Sequence, residues 1–481
     1  MLGQNSAQPA LFQMIDVESL VPANHRLRQI DAALDLSFVR EAVAACYTPG
    51  RGRPSIDPEL AVRMMILGVL YDLSDRQVCD EIRMHAGFRW FCRLNFHDPV
   101  PDHSTLSRLR NERWAESELF TRLFEQVLQG CAQAGMISGR HVSADGTQIR
   151  ANASMRSLEV RQTDDEDAEP ENGAPGDPPA PMAIEPRDSA RASEPQPEAA
   201  WRGRGERYSN ETHVSRTDPD ARLFRKASGQ GAHLSFLVHD VIDTKSRVIL
   251  GRRTSLATGT AEREAALELL DEHERRRQWL GLEQRVEVLS ADTGYGVSEF
   301  VADIIDRGIL PHVPLRSGEE VEEIPTWQRR TFSLNCHRIR CEKVRQVRAR
   351  NRVRRLQRGH GYQVSRKLRI RSEHVFAEAK NHHGLGRARH RGWRRVDRHS
   401  LLVATVQNLK RLGRTLWRQA KSEAAHIGYF DAFLHAIRVS RAKQSLARPN
   451  NNLQPFWSRI GESIKMSFNR PAQNVLCSTR F

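Results

Sequence analysis

The chain has 481 residues and a formal net charge of +15, with an isoelectric point near 10. Its preferred partner is therefore a polyanion, nucleic acid before a membrane surface. No uncharged apolar run of about 18 residues is present and the first 22 residues lack a basic-then-apolar leader pattern, so neither a membrane span nor a secretory signal is expected.

The N-terminal region reads as helices. Asp57-Pro58-Glu59 supplies a cap, a proline at the first helical position and an early acid. Leu60, Met64, Leu67 and Val69 then fall at helical spacing. Ser74-Asp75-Arg76-Gln77 is a capping box that opens a second helix. A third starts near Ser104 and carries Arg108, Arg110 and Arg113. A fourth runs from Leu119 to Cys131 and stops at Gly135. Three short helices with a basic last member fit a helix-turn-helix over 15–135, and a plain helical bundle accounts for the same pattern.

From residue 139 the period changes to that of strands. His141–Ile149 is a β-branched run. Residues 163–198 then hold 11 acids, two arginines and eight prolines. Such a segment buries too little apolar surface to offset its ordering entropy, so 160–200 is read as a disordered acidic insert. Beyond it, His233–Val241 and Arg247–Leu250 form a predicted hairpin bent at Thr244-Lys245-Ser246. A helix follows over Ala261–Arg277, a strand over Val286–Asp292, a helix over Phe300–Arg307 and a strand over Ile309–Val313. The order predicts a mixed α/β sheet.

Asp145 and Asp292 each close an apolar strand, in Ala-Asp-Gly and Ala-Asp-Thr-Gly. At the ends of adjacent strands two carboxylates would repel unless a cation neutralised them, and hard oxygen donors suit Mg²⁺, with Mn²⁺ as the alternative. Strand-end aspartates in ordinary turns read the same way by residue type. A later helical stretch supplies a third acid. Arg369, Glu373 and Lys380 are four and seven apart, so they line one stripe, while Val375, Phe376 and Ala379 form the apolar face that docks it. Glu373 can complete a metal site, with Arg369 and Lys380 holding phosphates on either side. Glu378 is a rival third acid that lies off the stripe.

Asp145, Asp292 and Glu373, with Arg369-x₃-Glu373-x₆-Lys380, closely resemble the DDE transposases of bacterial insertion sequences, in the branch whose last acid lies in a Tyr-Arg-Glu-Lys signature. The stretches SADGTQIRANAS (143–154), TDPDARLFRK (217–226), SADTGYG (290–296), SEHVFAEAK (372–380) and LLVATVQNLKRL (401–412) resemble the same family, as do LVPANHRLRQID (20–31) and DHSTLSRLR (102–110). The resemblance implies an RNase-H-like catalytic domain over 139–415 after the helical domain. It also implies two divalent ions on Asp145, Asp292 and Glu373, and cleavage at transposon ends followed by strand transfer into target DNA by at least a dimer. The signature tyrosine would fall at 366, which is Arg366. An inactive DNA-binding descendant and a metal-dependent nuclease without strand transfer share these features.

Between Arg329 and Arg371 stand 16 Lys and Arg residues opposed only by Glu342. Arg366, Arg371, Arg387 and Arg391 are read from this patch and its continuation as contacts to DNA backbone, with Arg108 and Arg110 from the helical region. Trp393 is read as packing. Cys336 and Cys341 with His337 lack two further ligands at useful spacing, and are read as structural. Gly384-Leu385-Gly386 reads as a loop. Seven scattered cysteines suit a reducing cytoplasm, and a nucleoid-associated one if DNA is the partner. Residues 416–481, with a helix predicted near Ala432–Val439, have no functional reading.

Overall fold

Local signals set the N-terminal helices. In the computed structural model, which describes residues 16–48, 55–161, 208–225, 229, 231–315 and 334–427, eight helices precede the first strand. They are α1 (Val17–Leu20), α2 (Arg26–Ala33), α3 (Val39–Val43), α4 (Pro58–Leu70), α5 (Asp75–Met84), α6 (Ala86–Phe91), α7 (His103–Arg108) and α8 (Leu119–Gln133). Asp57 caps α4 through Glu59 N at 3.0 Å. Ser74 and Gln77 close the capping box of α5, whose Val78, Cys79 and Ile82 turn inward. Helix α4 is apolar nearly all round and is the centre of this region, buried from Ala61 to Leu70.

The sheet is built on β1 (His141–Arg150). The short β2 (Leu158–Val160) and β3 (His213–Ser215) pair with each other apart from the main sheet. The acidic insert falls between these two and lies outside the described residues. The main sheet adds β4 (Arg222–Phe224), β5 (His233–Asp243), β6 (Ile249–Leu256), β7 (Val288–Ser290) and β8 (Leu310–His312). Its order is β4-β5-β1-β7-β8, with β6 on the other edge of β5. β1 runs antiparallel to β5, with Asp145 opposite Asp240, and parallel to β7 only over 141–143. From Ala144 onward, no strand among the described residues lies against the edge of β1 on the β7 side, where Arg150 makes an isolated bridge with Arg387.

Helix α9 (Ala261–Arg277) crosses from β6 to β7, and α10 (Ser298–Asp306) from β7 to β8. Then come α11 (Leu334–Gln357), α12 (His360–His382) and α13 (Trp393–Ile427). The hairpin, both crossover helices and the last two strands follow the sequence reading, with β5 ending two and β6 six residues later than expected, and β7 and β8 shorter by two and one residue at each end. Val375, Phe376 and Ala379 are buried, as the docking face of α12 requires.

One continuous apolar core runs from Val17 to Leu412 and joins the helical region to the sheet. Contacts across that joint are polar as well. His383 Nδ1 lies 2.9 Å from the carbonyl of Val69, and Arg398 donates to the carbonyl of Ala115 at 2.5 Å. Gly413 is glycine by necessity, because a β-carbon there would sit 2.5 Å from the Gln29 carbonyl oxygen. Residues 417–427 continue α13 as a separate unit; the predicted helix near Ala432–Val439 and the rest of the tail lie outside the described residues. No helix among the described residues is long and apolar enough to cross a membrane.

Candidate active site

Asp145 projects from the middle of β1. Its Oδ2 accepts a hydrogen bond from Ser372 Oγ of α12 at 3.0 Å, and its Oδ1 accepts from the Gly146 amide at 2.9 Å. Burial raises its carboxyl, the charge of Asp292 raises it further, and the hydroxyl of Ser372 only partly offsets them, leaving a value of about 6. Asp292 caps the short turn that follows β7 and accepts from the Gly294 amide at 2.8 Å. Neither aspartate forms an ion pair among the described residues. The two acids read from strand ends are thus held in mutual repulsion, in a setting low on countercharge.

Glu373 stands next to Ser372 on α12, so its backbone reaches the same crevice. Its side chain is half exposed and pairs with Arg369 at 3.1 Å. Arg369 in turn acts on Asp145 electrostatically and lowers its carboxyl. In this conformation no three His, Cys, Asp or Glu side chains among the described residues stand together as a ligand set for a metal. The physical reason is direct: Glu373 takes the nearest guanidinium rather than approach two other carboxylates. The donor chemistry still suits a divalent cation, since two half-buried carboxylates that form no ion pair among the described residues offer the oxygen ligands a hard ion takes.

The rival Glu378 is elsewhere. It accepts from Arg411 at 2.7 Å and Gln407 at 3.1 Å, and from Lys410. Burial alone would raise it, but His383, Arg411 and Lys410 hold its carboxyl far below the usual range. It is an internal ion cluster between α12 and α13.

The expected DNA contacts divide by what their side chains touch. Arg366 and Arg387 are exposed; so are Arg108, beside Ser104 at 3.3 Å, and Arg391, beside the Asn152 carbonyl at 3.3 Å. Lys380 and Arg369 are half-buried on the stripe. Arg110 is instead buried in a bidentate pair with Asp75, at 3.1 and 2.7 Å. Arg371 holds the carbonyls of Thr244 and Lys245. The loop after α12 runs beside the end of β1, with the Ala388 amide donating to the Arg150 carbonyl at 2.7 Å, and this places Arg387. Trp393 packs, donating from Nε1 to the Thr254 carbonyl at 2.7 Å. Cys341 is exposed, and the side chains of Cys336 and His337 lie outside the described residues. The basic run is opposed from a distance: Arg345 pairs with Asp303 and Asp306 of α10 as well as Glu342.

Two matches to known families decide the identity. Residues 15–112 match the Transposase domain (DUF772), and residues 210–409 match the Transposase DDE domain. The chain belongs to the DDE transposases of insertion sequences. The DDE match spans Asp292 and Glu373, while Asp145 lies between the two matched segments, joined to the second through its register with β5. No solved structure matches the chain. The transposase acts on DNA, and DDE transposases generally depend on divalent metal ions.

Residue-by-residue sequence reading did not find Ser372 or Tyr295 at the site. Ser372 carries no chemical signature of its own. Tyr295 lay within the SADTGYG stretch, but only packing reveals that its hydroxyl is buried without a hydrogen-bond partner.

Proposed function

We propose that the transposase cleaves phosphodiester bonds at its transposon ends and joins the freed 3′-hydroxyls to target DNA, using Asp145, Asp292 and Glu373 as ligands for divalent ions. The observation that carries this reading is Asp145: a half-buried carboxylate raised by desolvation and by its neighbour Asp292, with the helix that bears Glu373 hydrogen-bonded to it. Magnesium bound there would neutralise the acids and lower the pKa of an attacking water or hydroxyl. For the chain's own part, Ser372 orients Asp145. Arg369 is released to phosphate when Glu373 turns to the aspartates, and Lys380 sits two turns further along the same stripe.

An RNase-H-like core is supported by the strand order, with a central β1, an antiparallel β5 beside it, and β7 and β8 parallel on its other side. Membership of the Tyr-Arg-Glu-Lys branch is supported by three of its four positions, Arg369, Glu373 and Lys380. Tyr362 does not stand in for the missing tyrosine, since it is buried against His312. Within this reading 15–135 is the DNA-binding domain and 139–415 the catalytic one. DNA backbone contacts are assigned to Arg108, Arg366, Arg387 and Arg391, whose side chains are exposed. At least two copies would hold a pair of ends.

The test is a supercoiled plasmid carrying the element's ends, incubated with Mg²⁺ and followed with a labelled 3′-hydroxyl end. Joined products support the proposal. Cleavage without joining identifies a nuclease, and binding without cleavage an inactive descendant. Asp292→Asn should abolish cleavage and leave DNA binding within about twofold, as measured by gel shift; unchanged cleavage would remove Asp292 from the chemistry.

A further inference from the structure

Helices α12 and α13 and the bend between β5 and β6 enclose an open cleft of about 430 Å³ that the catalytic reading does not use. A second hollow, of about 270 Å³, shares Lys410 and Arg414 with it and reaches the start of α2. Together they are lined by five cations, Arg26, Arg247, Lys410, Arg411 and Arg414, and by a single carboxylate, Glu378. That carboxylate is already engaged by both Lys410 and Arg411, at 2.7 Å in the second pair. Arg26, Arg247 and Arg414 are exposed and form no ion pair among the described residues. The cleft therefore carries a surplus of about four positive charges, which repel one another until an anion enters.

The fold holds these cations in place. In the bend, the Arg247 amide donates to the Asp243 carbonyl and the Ser246 amide to Asp243 Oδ2, both at 2.8 Å. Arg371 ties the same bend to α12 through the carbonyls of Thr244 and Lys245, at 2.5 and 3.1 Å. Arg247 itself has a φ of 63°, a left-handed conformation that glycine adopts without strain. Gly413 lets α13 close on the backbone of Gln29, which sets Arg414 beside the start of α2. On α12 the lining residues His374 and Asn381 each follow a member of the Glu373–Lys380 stripe by one residue, so the cleft lies about 100° round the helix from that stripe.

We propose that this cleft is a further DNA-backbone site, in which Arg247 and Arg414 contact phosphates of a strand that passes round α12 from the Arg369–Lys380 stripe toward Arg26. A single small anion would be met by cations converging on one point. Here they come from four elements and are spread over two adjoining hollows, as a row of phosphates requires. Lys410 and Arg411 form the floor, where Glu378 holds them, and the three exposed arginines supply the contacts. The proposal rests on the transposase acting on DNA, and is independent of which acids bind metal.

The measurement is the salt dependence of binding between the full-length chain and a random-sequence duplex, by fluorescence anisotropy, with thermal melting followed alongside. Arg247→Gly removes a cation and relieves the left-handed backbone; Arg414→Gln removes a second from an exposed helix position. The double variant should melt as wild type, bind more weakly, and reduce the slope of log binding constant against log salt by about 2 in magnitude. Arg247→Gln with Arg414→Gln carries the same expectation, should the glycine variant fold poorly. Arg275→Gln with Arg285→Gln removes as much charge from residues that line neither hollow, and should keep the wild-type slope. A wild-type slope for the cleft variants, or an equal loss in the Arg275 and Arg285 pair, overturns the cleft as a DNA site. The catalytic reading fails by a different result, wild-type cleavage by Asp292→Asn, which leaves these slopes untouched.

Discussion

Burial and the charge of Asp292 together lift the Asp145 carboxyl to about 6, against 3.8 for a free aspartate. Between those values the folded chain holds a proton that the unfolded chain has released. Stability therefore falls as pH rises from about 4 to about 6, and the cost of the buried charge is fully present at neutral pH. Asp145→Asn removes that cost, keeps one oxygen to accept from the Gly146 amide while Ser372 gives its proton to the Arg369 carbonyl, and should stabilise the metal-free protein by about 2 kcal/mol at pH 7.5. The gain should shrink to near zero at pH 4. Denaturant unfolding in a chelating buffer at the two pH values checks both parts; an Asn variant no more stable than wild type at pH 7.5 would show that the carboxylate is solvated after all.

At the scale of elements, α12 is a helix with two jobs on two faces. Val375, Phe376 and Ala379 bury one face, while Arg369, Glu373 and Lys380 line the other. Ser372, between them, donates to Asp145 and to the Arg369 carbonyl at 2.8 Å with a single proton, and the charged acceptor is the stronger one. Docking of the helix and placement of the acids are therefore one event. Phe376→Ala should cost about 3–5 kcal/mol of stability and lower cleavage more than DNA binding, as denaturant unfolding, plasmid cleavage and gel shift would show. The exposed cations behave differently. Arg366→Ala with Arg387→Ala should leave the melting temperature unchanged and reduce the slope of log binding constant against log salt by about 2 in magnitude, one for each phosphate no longer neutralised. Arg110→Ala, by contrast, breaks the pair with Asp75 and should act on stability instead.

For the molecule as a whole, α13 is the latch that closes the sheet. Arg252 of β6 is fully buried with Asp240 of β5, donating from Nε and Nη2 at 2.6 Å, and also reaches the Ser400 carbonyl at 3.2 Å. Thr254 meets Ser400 at 2.8 Å and its amide meets Asp397 at 2.7 Å; Asn408 pairs with both polar groups of Ile249 at 2.9 and 2.8 Å. These bonds fix a helix from the end of the matched DDE segment to β6, the strand beyond Asp145's neighbour β5. Asp240→Ala would strand a buried guanidinium and should cost about 3–5 kcal/mol, whereas Asp240→Leu with Arg252→Met should recover most of that loss. Failure of the double variant to recover would mean that Arg252 matters chiefly through Ser400.

Sequence alone determined what is encoded locally or by spacing. Capping residues and periodicity set α4, α5 and α9, the β5–β6 hairpin and the stripe on α12, because each depends on neighbours a few residues away. The family resemblance, now shown, came from short motifs in a fixed order. Only the tertiary structure decided which charges are available. Arg110 and Arg371 look like Arg366 and Arg387 in sequence, yet the first two are engaged by Asp75 and by backbone carbonyls, partners far along the chain. Glu378 and Glu373 are five residues apart, and the fold gives one of them to Lys410 and Arg411 and the other to Arg369 on its own helix. Ser372 came to light only in three dimensions, since a serine on a helix is ordinary until the fold brings its hydroxyl to Asp145.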